Sequence, residues 1–79
     1  MQIKIQYFAI LREQTQKSEE TYSFAGNNVL ELYTEIKSRY QLEFSSQSLG
    51  VAVNDSFTGW DTKLKDQDSV VFIPPVSGG

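Results

Sequence analysis

Four consecutive apolar residues, Val70-Val71-Phe72-Ile73, run straight into Pro74-Pro75 near the end of the chain. An unbroken apolar run of this length reads as a strand covered on both faces, and hence as a central one. Proline locks φ and has no N–H to give a ladder, so the strand stops at Ile73 and the exit from it is stiff. The fold must therefore place its last strand in the middle of a sheet. It also leaves Val76-Ser77-Gly78-Gly79 outside.

The remaining elements follow from period and punctuation. Ile3, Ile5 and Tyr7 alternate with Gln2, Lys4 and Gln6, a half-buried strand. A short helical turn is expected at Phe8–Glu13 and a polar turn over 14–18. Tyr22 and Phe24 alternate with Thr21 and Ser23, a second strand that pairs with the first as an antiparallel hairpin. Asn28 is a good N-cap with Glu31 three residues on, as a capping box requires. Val29, Leu32, Tyr33, Ile36 and Tyr40 then recur at helical spacing. Glu35 and Arg39 are expected to pair at i,i+4 on the wet face. Residues 41–48 form a loop with Leu42 and Phe44 tucked beneath it, and Leu49–Val53 is a third strand. Asn54-Asp55 turns into a return arm over Phe57–Trp60. Asp61–Lys65 reads as one helical turn with Leu64 inward, and Asp66-Gln67-Asp68 turns into the last strand. A hairpin, a crossing helix and a late central strand make an α+β fold, a small mixed sheet with one main helix on one face. A ubiquitin-like β-grasp meets these constraints, with a single domain over 1–73 and a C-terminal tail over 74–79.

With 79 residues there is room for one domain, and with no cysteine its stability rests on one compact core. The absence of cysteine and histidine rules out a Cys/His zinc site and any Ser-His-Asp or Cys-His constellation. Asp61, Asp66 and Asp68 lack the spacing of a calcium loop and read as turn formers, so no metal site is assigned. The net charge is −3 with scattered Lys and Arg, which argues against a nucleic-acid surface and for docking on basic protein faces. No apolar run approaches a membrane span, and the N-terminus is not a signal peptide. A soluble, cytoplasmic protein that binds no nucleic acid and no membrane is expected.

The tail is what remains to carry chemistry. Extended, Pro74 to Gly79 reaches about 20 Å, far enough to place the Gly79 carboxylate inside a partner's active site. Glycine has no Cβ, so Gly78 and Gly79 fit a narrow channel. The carboxylate is ionised at neutral pH and is a poor acyl electrophile until it is activated.

Three stretches now carry a likeness: Tyr7-Phe8-Ala9-Ile10-Leu11-Arg12-Glu13, Val51-Ala52-Val53-Asn54, and Asp66 through Gly79 with its Pro-Pro-Val-Ser-Gly-Gly ending. The chain resembles the small subunits of molybdopterin synthase, the MoaD family of ubiquitin-like sulfur carriers, over its whole length. One departure is Gln67, where that family usually has glycine. A side chain there implies either a turn with less positive φ or a small strain.

The resemblance implies a function. A partner activating enzyme uses ATP to adenylate the Gly79 carboxylate. Sulfur then displaces AMP, and the thiocarboxylate gives its sulfur to a pterin precursor in the synthase large subunit. Gly79 is the carrier. Pro74, Pro75, Val76, Ser77 and Gly78 form the inserted tail, and Phe8, Phe57 and Ile73 match the family's apolar partner contacts. No cofactor is bound by the carrier itself, which needs no catalytic side chains. Phe8 and Ile73 could equally be core residues. Phe57, in a short edge arm after a polar turn, is hard to bury. Trp60 is a weaker candidate, since it could cap the core, and Arg12-Glu13 reads as a solvated pair. Three alternatives stay open: a sulfur carrier for another pathway such as thiazole formation for thiamine, a protein modifier that joins lysines through Gly79, and a binding module with an idle tail.

Overall fold

The structure is a computed structural model and describes residues 1–75. Strand β1 spans Gln2–Tyr7, helix α1 Ala9–Thr15, β2 Glu19–Ser23, α2 Val29–Tyr40, β3 Gly50–Val53, β4 Ser56–Phe57 and β5 Ser69–Ile73. A short 3₁₀ turn at Ser46–Ser48 precedes β3. The sheet order is β2-β1-β5-β3-β4, so the last strand is central, as expected. β1 and β5 run parallel, and the other pairings are antiparallel. This is the β-grasp arrangement.

One face of the sheet holds the core. Ile3, Ile5 and Tyr7 of β1 and Val70 and Phe72 of β5 meet Val29, Leu32, Tyr33 and Ile36 of α2, all buried. The amphipathic spacing of α2 aims these residues at the sheet, while Leu30, Glu31, Thr34 and Glu35 stay exposed. Tyr33 Oη donates to the Phe44 carbonyl at 2.6 Å, which draws the 41–48 loop over the core. Leu42 is buried there and Phe44 half-buried. Trp60 stacks on Phe72, with ring planes 8° apart, and leans on Tyr33. It therefore covers the core, as a partly buried residue packed against it.

The N-terminus of α2 explains one correction. A helix leaves its first N–H groups without intrahelical partners. The Asn28 side chain accepts from Glu31 N–H at 2.9 Å, and Glu31 Oε1 accepts from Asn28 N–H, completing the capping box. The next two donors are met from outside the helix: Val29 N–H donates to Thr62 O and Leu30 N–H to Trp60 O. Leu64 N–H in turn donates to Asn27 O, and Lys63 bridges Asn28. Residues 61–65 are therefore not the expected helical turn. The Thr62 carbonyl, with that of Trp60 just before the segment, caps α2 and would be lost to it if taken up in a helical turn. Leu64 still points inward and is buried.

Three more expectations change. Helix α1 runs to Thr15 and does not stop at Glu13. Thr15 is buried, its hydroxyl donates to Leu11 O at 2.9 Å, and Gln16 closes the helix in the left-handed region with its N–H on Arg12 O. Glu35 and Arg39 do not form an ion pair. Glu35 accepts from Tyr22 Oη at 2.9 Å, and the Arg39 guanidinium lies over the rings of Tyr22 and Tyr40. β5 is central but covered on one face only, since Val71 and Ile73 are half-exposed. Gln67 takes the strained alternative, with φ 73°.

Candidate functional site: the open sheet face and the tail exit

The face of the sheet away from α2 has no covering element among the described residues. The register places its side chains. Because Ile5 pairs with Val70 on the core side, the opposite side carries Lys4 beside Ser69 and Gln6 beside Val71. Val71 faces Ala52, Ala52 faces Phe57, and Ile73 faces Gly50. Phe8 continues the alternation of β1 past buried Tyr7 and is 49% exposed. Tyr7 pairs with Phe72 in the parallel ladder, so Phe8 and Ile73 follow side by side where β1 and β5 end. Pro74, half-buried, and Pro75, exposed, leave from that corner.

The three residues expected at an interface are thus brought onto one face. Phe8 and Ile73 flank the root of the tail, and Phe57 stands one strand beyond β3, 82% exposed. Val71 belongs with them and was not among the expected contacts. Its signal was in the sequence, because the second face of an unbroken apolar run is apolar too. Val76, Ser77, Gly78 and Gly79 lie outside the described residues.

Phe57 is held out by its hairpin. Asn54 and Asp55 have φ of 52° and 70°, the pair of positive values of a type I′ turn, whose twist matches two-residue hairpins. Asn54 then locks the hairpin to the start of β5: its N–H donates to Ser69 O, its Oδ1 accepts from Ser69 N–H, and its Nδ2 donates to Asp68 Oδ1. Asp68 Oδ2 also accepts from Lys65 N–H, and Asp66 Oδ1 from Gln2 N–H at 2.6 Å. That backbone N–H, with the Gln67 amide, holds the Asp66 carboxyl below its ordinary value. Asp66 and Asp68 are turn formers. Among the described residues no three His, Cys, Asp or Glu side chains gather as a metal site would need.

The rest of the face is polar. A shallow groove of about 670 Å³ runs over Lys4, Gln6, Glu19, Thr21 and Asp55. The face therefore has an apolar corner at the tail and a wet remainder. Such a corner can bind a protein surface.

Behind this face lies a network that composition did not reveal. Glu20 Oε2 accepts from Tyr7 Oη at 2.6 Å and from Tyr40 Oη at 2.8 Å, and Lys17 Nζ bridges Glu20 Oε1 and Tyr40 Oη. Burial, then the bond to Glu20, pushes the Tyr7 phenol far above its ordinary range. For Glu20, burial works against the charge, but the bonds from Tyr7, Tyr40 and Lys17 outweigh it and lower the carboxyl.

Comparison with known proteins is decisive at this point. The family model described as "ThiS family" matches residues 5–79. The chain belongs to the ThiS family. It is 35% identical over 80 residues to the molybdopterin synthase sulfur carrier subunit of Escherichia coli K12, covering 98% of this chain and 99% of that protein. Among solved structures, a putative molybdopterin converting factor subunit 1 from Pyrococcus furiosus superposes with a TM-score of 0.81 at 31% identity, covering 96% of this chain and 99% of that one. A chain of the complex of subunits 1 and 2 of the molybdopterin-converting factor from Helicobacter pylori 26695 superposes with a TM-score of 0.66 at 26% identity, over the whole of both chains. No helix among the described residues is long and apolar enough to cross a membrane.

Proposed function

We propose that this chain is the sulfur carrier subunit of a molybdopterin synthase. The observation that carries the reading is where the chain leaves the sheet: the parallel β1/β5 pair delivers Pro74 to a corner where exposed Phe8 and half-exposed Ile73 stand together. A partner that grips that corner holds the tail's root, and the tail's reach of about 20 Å is then available to probe the partner's interior.

The chemistry proceeds at Gly79, on partners that supply the catalytic groups. A carboxylate oxygen attacks the α-phosphorus of ATP on the activating enzyme, and pyrophosphate leaves. Hydrosulfide attacks the acyl carbon, AMP leaves with the bonding pair, and the S–H proton is lost. The product is a thiocarboxylate, a good nucleophile near neutral pH. In the large subunit its sulfur attacks a side-chain carbon of the pterin precursor, and the carbon–oxygen bond there breaks as the oxygen leaves with the bonding pair and takes up a proton. Water then cleaves the acyl–sulfur bond, which regenerates the carboxylate and leaves the sulfur on the pterin. The folded body over 1–73 acts as a handle, and 74–79 is the arm. Its site of action is the cytoplasm, where both partners are expected.

The test is an intact mass spectrum of the chain after incubation with the activating enzyme, ATP and a sulfur source. The expected product is heavier by one sulfur less one oxygen, with the change mapping to Gly79. An unmodified terminus would contradict the reading. So would Gly-Gly remnants on lysines of other proteins, which would assign the chain to protein modification.

A further inference from the structure

Gly26 and Gly50 lack side chains for different reasons. A Cβ on Gly26 would run into the Phe24 ring at Cζ and Cε1, so the packed ring demands glycine there. A Cβ on Gly50 would meet only the Cβ of Ile73, at 3.8 Å, which is an ordinary contact. The Gly50 backbone is not in the left-handed region. Nothing among the described residues excludes a side chain at Gly50, and glycine weakens a strand. A strand glycine that its own fold does not need often marks the close approach of something else.

The surroundings say what approaches. Gly50 is exposed on the open face, and Ala52, two residues along on the same face, is only 9% exposed. The two small residues make β3 the floor of a trough. Ile73 and Val71 of β5 form one wall, and Phe57 of β4 stands on the other side. Floor and walls carry no charge. One end of the trough lies at Ile73, the last residue before the tail, so a protein that takes in the tail covers it. We infer that the trough over Gly50 receives a bulky apolar side chain of the large subunit, seated against Ile73, and that Gly50 is a specificity-determining residue for that docking. The inference rests on the carrier reading above. A large subunit is the occupant because it must hold the tail through sulfur delivery, while a second copy of this chain would sit across the tail's root.

The experiment is calorimetric titration of the purified cognate large subunit with the full-length chain, its Gly50→Ala and Gly50→Val variants, and thermal melting of each. Affinity is expected to fall with side-chain size, by about tenfold or more for Gly50→Val, as overpacking a filled pocket does. The melting temperature is expected to stay at or above that of the parent, because a β-branched residue suits a strand. If Gly50→Val itself unfolds, Gly50→Ala adds one methyl at an ordinary contact distance from Ile73 and must still show a measurable, smaller loss of affinity with no loss of stability. Unchanged affinity of a folded variant overturns the inference and leaves the carrier reading standing. Failure of the parent chain to bind the large subunit overturns the carrier reading and this inference with it. Self-association of the parent that Gly50→Val abolishes would give the trough to a second copy, and also overturns it.

Discussion

Tyr7 and Glu20 lie across the β1/β2 hairpin with the phenol donating to the carboxylate at 2.6 Å, one group fully buried and the other nearly so. The folded state lowers the Glu20 carboxyl below its ordinary 4.5. The stability it contributes is therefore present above that value and lost as pH falls through it toward the folded one, because the unfolded chain binds the proton first. Glu20→Gln leaves the Tyr7 hydroxyl with a weaker acceptor and breaks the tie to Lys17, and is expected to cost about 1–3 kcal/mol. Urea unfolding at neutral and acidic pH checks both points. The variant should be less stable at neutral pH and show a flatter loss of stability toward acid.

Four positions outside the Asn54-Asp55 turn hold a side chain where glycine would relieve strain: Ala9 at φ 51°, Gln16 at 60°, Gln41 at 55° and Gln67 at 73°. A left-handed L-residue costs roughly 1–2 kcal/mol, partly offset by the extra freedom glycine gives the unfolded chain. Gln67→Gly is expected to raise stability by up to about 1 kcal/mol. Its N–H still reaches Gln2 O, so the turn is unchanged. Differential scanning calorimetry reads this as a higher melting temperature.

The capping box of α2 supports a third expectation. Asn28→Ala removes the acceptor for Glu31 N–H and should destabilise the fold by about 1 kcal/mol. Because residues 60–64 also cap this helix end, the loss should appear as faster hydrogen exchange at Glu31 and not as unfolding of the whole helix.

Phe57 and Phe72 have opposite consequences. Phe57→Asp, on a side chain 82% exposed, should leave the melting temperature nearly unchanged and weaken binding to the large subunit by tenfold or more, an order-of-magnitude figure for an aromatic interface anchor. Phe72→Ala, fully buried against Trp60 and Tyr33, should cost about 3–5 kcal/mol. Calorimetric titration beside thermal melting separates the two. A large stability loss in the Phe57 variant would contradict the assignment of Phe57 to an interface.

Where local chemistry decides, the sequence was a sufficient guide. The Val70–Ile73 run gave the central strand, Asn28 with Glu31 gave the start of α2, and Asn54-Asp55 gave the hairpin that exposes Phe57. Where a group's partner lies far along the chain, it was not. The 60–64 segment gives up helical bonds because α2, earlier in the chain, needs its carbonyls. Glu35 leaves Arg39 for Tyr22, which only the fold brings near. Glu20 looks like any surface acid until β1 and α2 present Tyr7 and Tyr40 to it. At the candidate site, the exposure of Phe57 was legible from the polar turn before it, while Phe8 and Ile73 read equally as core until the register set them on the open face. The trough over Gly50 needed the cross-strand register.

The most direct measurement starts with the chain prepared chemically as its Gly79 thiocarboxylate, mixed with the large subunit and pterin precursor and no activating enzyme or ATP. Dithiolene product should form in proportion to the thiocarboxylate supplied, with the chain returning to its carboxylate mass. No product, or equal product from a chain lacking Gly78 and Gly79, would contradict the claim that this terminus carries the sulfur.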